Sequence, residues 1–105
     1  MAIFIMLTRL AHGALRSPEQ LEKIEQDVVK RIENELGKSM TWHANYAVLG
    51  PYDYLDIFEA PDIEAAMKVS TIVRTFGHAH TEVWPATEWQ RFKEIVRGLP
   101  SGGGD

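Results

Sequence analysis

Two histidines and a glutamate alternate in the segment GHAHTEVW, at a spacing that suits metal binding. His78, His80 and Glu82 are two residues apart, and side chains at that spacing project from one face of a strand. Imidazole nitrogens and carboxylate oxygens bind divalent metals, and His12 is a further candidate ligand. These four residues are the predicted metal ligands, and a divalent metal is the one cofactor that the residues suggest. The alternative is an H-x-H pair that is merely polar.

A second group of reactive side chains occupies the stretch LGPYDYLDIFEAPD. Asp56 is two residues from both Tyr54 and Phe58, and a carboxyl in a partly apolar pocket has a raised pKa that suits acid or base catalysis. An ion pair with Arg9 is the structural alternative for this carboxyl. Asp53 is predicted to fix the turn backbone through its side-chain oxygens.

The helices that must position these residues begin and end at recognisable caps. Ser17 is a predicted N-cap, Gln20 completes a capping box, and Gly37 ends this first helix. Asp62 caps a second helix that runs to the next glycine. A further capping box, Thr87 with Gln90, opens a third helix with Trp89, Phe92, Val96 and Leu99 on one side.

Strand patterns between these helices predict a split βαβ fold. The predicted strands are residues 2–10, 39–49, 52–59 and 78–84. The resulting order, β-α-β-β-α-β, is that of the ferredoxin-like α+β fold. We expect a four-stranded antiparallel sheet of order 4-1-3-2, with two helices on one face and an extra C-terminal helix. Residues 1–98 form a single domain, and residues 99–105 form a flexible glycine-rich tail.

The two helices leave one sheet face uncovered, and the two-residue alternation of a strand assigns side chains to that face. Because this open face is aromatic and ionisable, we expect it to line an interface or a cavity. The predicted ligand-binding residues are His43, Asn45, Tyr54, Asp56, Phe58 and Trp84, and the candidate catalytic residues are Asp56 and His43. The open face is also predicted to contain Phe4, Met6, Thr8, Ala47, Leu49, Tyr52, His78, His80 and Glu82. The predicted helix side contains Ala44, Tyr46, Val48, Leu55, Ile57, Ala79, Thr81 and Val83.

The strand directions decide which of these residues meet at one end of the sheet. In this order we expect the first and third strands to run parallel, so that the ends of both lie beside the starts of the second and fourth. We then expect all four histidines of the chain at that end. One ion cannot reach both His43 and His78 within a subunit, because the edge strands are roughly 14 Å apart at about 4.8 Å per strand.

Composition excludes several classes of partner. The 105 residues carry a net charge of −4, which argues against a nucleic-acid partner. The longest apolar run, AIFIML, is too short to span a bilayer, which takes roughly 20 residues, so no membrane partner is expected. The chain has no cysteine, which suits a reducing compartment, and we predict a cytoplasmic protein. Phosphate-binding loops and nucleophile elbows are absent from the sequence.

The turn in the middle of the chain resembles that of a known family. Gly50, Pro51, Tyr52 and Asp53 form the pattern L-G-x-Y-D, and an apolar strand and E-A-P-D follow it. Together with the first strand, the S-P-E-x-L helix start and T-E-V-W, this ordered set resembles the GYD domain over residues 2–86. The resemblance implies a dimeric α+β barrel, in which two sheets pack face to face, and a family without an established activity. Its wider structural relatives include cofactor-free monooxygenases, isomerases and haem enzymes.

Three functions are open at this point. The first is a small homo-oligomer, at least a dimer, that binds a small molecule or a metal in a pocket on the open sheet face. The second is a small enzyme, either metal-assisted through His78 and His80 or cofactor-free in the manner of a monooxygenase or isomerase. The third is a purely structural or regulatory dimer. Whether the chain is an enzyme is undecided by its sequence.

Overall fold

The sheet has four strands, and its two central strands are each paired along both edges. The computed structural model describes residues 1–11 and 17–100, so the candidate ligand His12 and the end of the tail lie outside the described residues. The strands are β1 (Ala2–Leu10), β2 (Thr41–Ala47), β3 (Tyr54–Ala60) and β4 (Ala79–Ala86). The sheet order is β2-β3-β1-β4, which confirms the predicted ferredoxin-like α+β fold and strand order. The helices are α1 (Pro18–Leu36), α2 (Ile63–Phe76) and α3 (Trp89–Arg97), with a 3-10 turn at Gly37–Ser39.

The two long helices begin at the predicted caps. The Ser17 hydroxyl accepts a hydrogen bond from the backbone N–H of Gln20 at 3.3 Å. Gly37 follows the end of α1 with a φ of 55°, a left-handed value that glycine adopts without steric cost. The Asp62 carboxylate accepts from the backbone N–H of Ala65 at 2.9 Å, which caps α2. Local capping chemistry therefore starts both helices where the sequence predicts them.

The short terminal helix differs from its prediction. α3 begins at Trp89 with Glu88 as its N-cap, and no side chain makes a capping hydrogen bond there. The predicted Thr87–Gln90 capping box is therefore wrong, because the extended backbone of Glu88 starts the helix one residue later than that box requires. α3 makes few contacts with the rest of the described chain. Its exposed apolar side chains are Trp89, Phe92, Ile95 and Val96, followed by Leu99 just beyond its end.

The direction of β3 corrects the prediction about the ends of the sheet. β1 runs antiparallel to both β3 and β4, so the first and third strands are not parallel. The end of β1 therefore meets the starts of β3 and β4 and the end of β2. His80 lies at this end, opposite Arg9, whereas His43 lies near the start of β2 at the other end. The predicted gathering of all four histidines is wrong.

A second prediction, about which side chains of β1 and β3 face the helices, is also wrong. Phe4 is opposite Phe58 and Met6 is opposite Asp56, and residues paired in this way share a face. Phe58 is fully buried, and its ring stacks on that of Phe4 with the centroids 5.6 Å apart, in the core that the sheet forms with α1 and α2. The residues wrongly predicted to lie on the open face are Phe4, Met6, Thr8, Tyr54, Asp56 and Phe58, and Leu55 and Ile57 lie there instead.

A β-bulge shifts the phase within β2. The register slips between Trp42 and Ala44, so Trp42 and Asn45 both face the helix side. The Trp42 ring meets Phe58 edge-on at 5.6 Å between centroids, and the Asn45 amide donates to Asp56. The predicted outward positions of Asn45 and Ala47 are therefore wrong, and Ala44 and Tyr46 pair with open-face residues of β3.

The side chains of β4 lie on the predicted faces of the sheet. Thr81 lies within hydrogen-bond distance of Ser70 on α2, at 2.6 Å between the hydroxyl oxygens, and Val83 packs against the core. His80, Glu82 and Trp84 alternate with these residues and so project to the open face.

The open face is thus an apolar surface with a polar border. Leu7, Leu55 and Ile57 lie at its centre, where β1 and β3 pair. Tyr46 and Trp84, toward the two edges, are 59% and 48% exposed. The border contains Arg9, His80, Glu82 and the pair of His43 and Glu59, whose Nε2 and Oε1 atoms are 3.4 Å apart.

Asp53 ties the loop between β2 and β3 to the end of β1. Its backbone N–H donates to the carbonyl of Thr8 at 2.8 Å, and its Oδ2 accepts from the N–H of Leu10 at 2.8 Å. Its carbonyl accepts from the N–H of Val48 at 2.9 Å. Gly50, with a φ of 145°, supplies the turn conformation that this loop needs. The carboxylate therefore has a structural role, although it bonds to β1 and not to the turn itself.

Phe58→Ala is expected to lower the free energy of unfolding by about 3–5 kcal/mol, because it removes a fully buried ring from the core. Ile57→Ala, on the other face of the same strand, should cost clearly less at low protein concentration. Urea unfolding followed by circular dichroism measures both variants. A larger loss at Ile57 than at Phe58 would show that the faces are assigned the wrong way round.

Candidate functional site

A cavity of about 520 Å³ separates α1 from the sheet and is partly open to solvent. Its walls come from α1 on one side and from β1, β2 and β3 on the other. Along α1, Ile32 is buried in the core whereas Leu21 remains 40% exposed, so the first turns of the helix do not seal against the strands. We name this space the sheet–helix cavity. Its polar lining residues are Thr8, Glu22, Glu25, Asn45, Tyr54 and Asp56.

Asp56 lies in the sheet wall of the cavity. Its Oδ1 accepts a hydrogen bond from Nδ2 of Asn45 at 2.7 Å. Partial burial raises the pKa of Asp56, and the bond from Asn45 offsets part of that increase. The predicted ion pair with Arg9 is wrong, because Arg9 lies on the open face, in register with His80, whereas Asp56 lies on the helix side. Asp56 therefore combines a raised pKa with contact to the cavity, and both properties suit proton transfer or ligand binding.

Tyr54 adds a second titratable group beside Asp56. Burial raises the pKa of Tyr54, and the negative charges of Asp53 and Glu25 raise it further. Its hydroxyl therefore keeps its proton well above neutral pH and can donate a hydrogen bond.

The hydroxyl of Thr8 is a buried polar group without a partner. Thr8 is 3% exposed, and its Oγ1 has no hydrogen-bond partner among the described residues. Buried hydroxyls are nearly always hydrogen-bonded, because leaving one unpaired costs about 1–3 kcal/mol. Thr8 lines the sheet–helix cavity, so a molecule in that cavity could supply the missing partner.

The predicted metal ligands do not form a cluster in the described part of the chain. Among residues 1–11 and 17–100, no three His, Cys, Asp or Glu side chains come together in a way that could hold a metal ion. His78 precedes β4 with a φ of 50°, and Glu82 accepts from the indole N–H of Trp84 at 3.3 Å. A site that also uses His12 stays a prediction, because His12 lies outside the described residues.

The predicted ligand-binding residues divide between the two sheet faces. Asn45, Tyr54 and Asp56 come together in the sheet–helix cavity. Phe58 lies on the same side but is buried in the core, whereas Trp84 projects to the open face. Of the two candidate catalytic residues, Asp56 lines the cavity. The other, His43, pairs with Glu59 at the border of the open face.

Sequence reasoning missed the contribution of α1 to this site. Glu22 and Glu25 line the cavity, next to apolar residues of the same helix such as Leu21 and Val28. The sequence did contain a signal for this contribution. Acidic residues beside the apolar stripe of an amphipathic helix lie at the border of the surface that the stripe covers. Trp42 was missed as well, since no sequence feature reveals the bulge that turns it toward the cavity.

The sheet order defines a ferredoxin-like α+β fold, which is also the fold of dimeric α+β barrel proteins. A crystal structure of muconolactone isomerase is similar, with a TM-score of 0.55 and 19% identity over 82% of this chain and 88% of that chain. A protein from Arabidopsis thaliana is similar with a TM-score of 0.53 and 15% identity, over 84% of this chain and 95% of that chain. At these identities the likeness shows the fold alone.

The chain belongs to the GYD domain family, which matches residues 4–96 and confirms the resemblance carried by the central turn. A relative from Thermus thermophilus is 32% identical over 82 residues, which cover 74% of this chain and 74% of the relative. That relative is described as a glutamine synthetase and cystathionine beta-lyase binding protein.

Asp56→Asn is expected to raise the free energy of unfolding at neutral pH. Burial raises the pKa of Asp56 above its unfolded value, so between those two pKa values the folded protein holds a proton that the unfolded chain has released. The stability contributed by this group therefore falls as the pH rises through that window. At neutral pH the folded protein buries part of a carboxylate, and the neutral amide avoids that cost.

Urea unfolding of the wild type and of Asp56→Asn measures this difference at neutral pH and below the ordinary aspartate pKa of about 3.9. The gain should be present at neutral pH and absent at the lower pH. A variant that is less stable than the wild type at neutral pH would contradict the assignment.

Proposed function

We propose that this chain binds a small organic molecule in the sheet–helix cavity and does so as a homodimer. The observation that carries the proposal is the polar lining of the cavity, where Asp56 and Tyr54 lie near the buried Thr8 hydroxyl, which has no hydrogen-bond partner among the described residues. A space of about 520 Å³ falls within the range of roughly 300–1,000 Å³ that is typical of ligand pockets. The proposed pocket is therefore on the helix side of the sheet and not on its open face.

Acid–base catalysis in the same cavity is a second candidate function. It is favoured by the raised pKa of Asp56, because groups with perturbed pKa values in a cleft are candidate catalysts. A bound ligand that is recovered unchanged supports the binding function. If the wild type converts the ligand to a product and the Asp56→Asn variant does not, the result supports the catalytic function.

A regulatory role through protein partners is the third candidate. It is favoured by the exposed apolar side chains of α3 and by the description of the Thermus thermophilus relative as a binding protein for two enzymes. Such a role is compatible with a ligand in the cavity, which would then act as a signal.

The homodimer is supported by the open face. Leu55 and Ile57 form a partly exposed apolar centre beside the buried Leu7, and Trp84 exposes 48% of its surface on the same face. Sheets with a bare apolar face need a covering layer, and the class of fold supplies one through a second sheet.

In the described part of the chain, no helix is long and apolar enough to cross a membrane. The cytoplasmic location remains a prediction from the absence of cysteine.

Val29→Trp is expected to block small-molecule binding, because residue 29 lines the cavity and the larger side chain would fill it. Phenethyl alcohol is a suitable neutral probe, since a fragment of its size binds with a dissociation constant on the order of millimolar. NMR titration of the wild type should shift amide signals of Thr8, Val28 and Ala47. The matched control is Lys30→Trp, an exposed position on the same helix.

The control should bind the probe like the wild type, and Val29→Trp should weaken binding at least about tenfold, or 1.4 kcal/mol. Shifts confined to the open face, or equal binding by both variants, would argue against the cavity as the ligand site.

Ile57→Asp is expected to convert the dimer to a monomer, because it places a charge in an apolar interface. Light scattering at micromolar concentration measures the mass of both forms. Gln26→Asp, on the exposed surface of α1, adds the same charge away from the open face and should remain dimeric. A wild type that is monomeric under these conditions would contradict the homodimer.

A further inference from the structure

We propose that the sheet–helix cavity selects an organic cation, namely a small amine that carries an aromatic or aliphatic group. This inference rests on the proposed small-molecule function and names the chemical class of its ligand. Three features of the cavity wall support it: the single sign of its charges, aromatic and apolar surface beside a carboxylate, and a buried hydroxyl that lacks a partner.

The charged side chains around the cavity have one sign. Asp56 lies in the sheet wall, and Glu22 and Glu25 lie on α1 across the space. Within the described residues, no lysine, arginine or histidine lines the cavity. Carboxylates on two facing walls produce a negative potential that low-dielectric surroundings strengthen, and this potential favours a cation over an anion.

The negative potential also acts on Tyr54. After burial itself, the charges of Asp53 and Glu25 raise the pKa of Tyr54, because they oppose a further negative charge on its oxygen. A positive group in the same space interacts favourably with those carboxylates for the same reason.

The remaining lining suits the hydrocarbon part of such a ligand. Trp42 and Tyr54 bring aromatic rings to the sheet wall, and Val28 and Ile32 bring apolar groups from α1. Ammonium groups bind the faces of aromatic rings, and an apolar body would bury surface against the aliphatic side chains. The cavity therefore offers separate surfaces to the two halves of an amine.

Thr8 provides an independent sign of a missing ligand. Its Oγ1 is without a partner among the described residues although Thr8 is 3% exposed, and it lines the cavity. Thr8 is paired with Tyr54, and Met6 is paired with Asp56, so hydroxyl and carboxylate lie on the same face of adjacent strands. An ammonium group has several N–H donors and can bond to both a hydroxyl oxygen and a carboxylate.

The arrangement of the acids favours an organic cation over a metal ion. Calcium and magnesium need several oxygen ligands that converge at about 2.0–2.6 Å. In residues 1–11 and 17–100, no three acidic or histidine side chains converge in that way. Dispersed carboxylates around a partly apolar space match a larger cation whose charge and body occupy different parts of the cavity.

The test compares three probes that share one phenyl group and differ in charge. Phenethylamine is the cation, phenethyl alcohol the neutral analogue and hydrocinnamate the anion. Each is titrated into the full chain at neutral pH and low salt, and dissociation constants are taken from the NMR shifts of the cavity amides. Calcium chloride is titrated separately. The variants are Glu25→Gln, in the cavity wall, and Glu33→Gln, an exposed glutamate of the same helix that makes the same change in net charge.

The amine is expected to bind at least about tenfold more tightly than the alcohol, with the anion weakest. Glu25→Gln should weaken the amine severalfold and leave the alcohol unchanged, and Glu33→Gln should affect neither. Equal binding of amine and alcohol, or saturation of the same amides by calcium, would overturn the cation inference and leave the small-molecule function intact. If none of the three organic probes shifts the cavity amides, the proposed function itself fails.

Discussion

The antiparallel pairing of β1 with β3 is the constraint on which the rest of the described structure depends. It aligns Phe4, Met6 and Thr8 with Phe58, Asp56 and Tyr54, and all six side chains face the helices. A slip of one strand by one residue would turn that strand's three side chains to the other face. This single row begins with two stacked phenylalanine rings and ends with a hydroxyl and a phenol, so the packed core and the polar cavity are its two ends. Asp53 fixes the polar end by bonding to Leu10.

Local chemistry made the helices, the strands and their order predictable. It did not make predictable which side chains of each strand face the helices. Ser17, Gly37 and Asp62 specify helix ends through their own hydrogen bonds or dihedral angles, which the sequence displays directly. β1 and β3 have apolar residues on both faces, so alternation alone does not say which set is covered. The prediction exchanged the two faces of β1 and β3 and also placed Asn45 of β2 on the open face. Asn45, Tyr54 and Asp56 were therefore correctly predicted to be neighbours, but on the open face and not on the helix side. Trp84, on the correctly assigned β4, and His43, at the border of the open face, lie away from the cavity.

The polar groups in the proposed ligand site lower the stability of the fold. A partly buried carboxyl at Asp56 and a buried Thr8 hydroxyl that has no partner among the described residues both cost folding free energy. Apolar residues at these positions would pack against α1 without that cost. Polar groups that are unfavourable for the fold alone are typical of sites where a ligand completes the interactions. The looseness of α1 against the strands belongs to the same compromise, because a sealed helix would leave no space.

Because α3 has few contacts with the rest of the described chain, its helical structure depends on what packs against it. Isolated helices shorter than roughly 12–15 residues are marginal in water, and the nine residues of α3 have few tertiary contacts to hold them. Trp89 and Phe92 stack on each other at 5.5 Å between ring centroids, which is local support only. Folding of this segment is therefore coupled to whatever packs against its apolar side. Its amide protons would exchange at a rate set by that association, while those of β1 would report the opening of the whole domain.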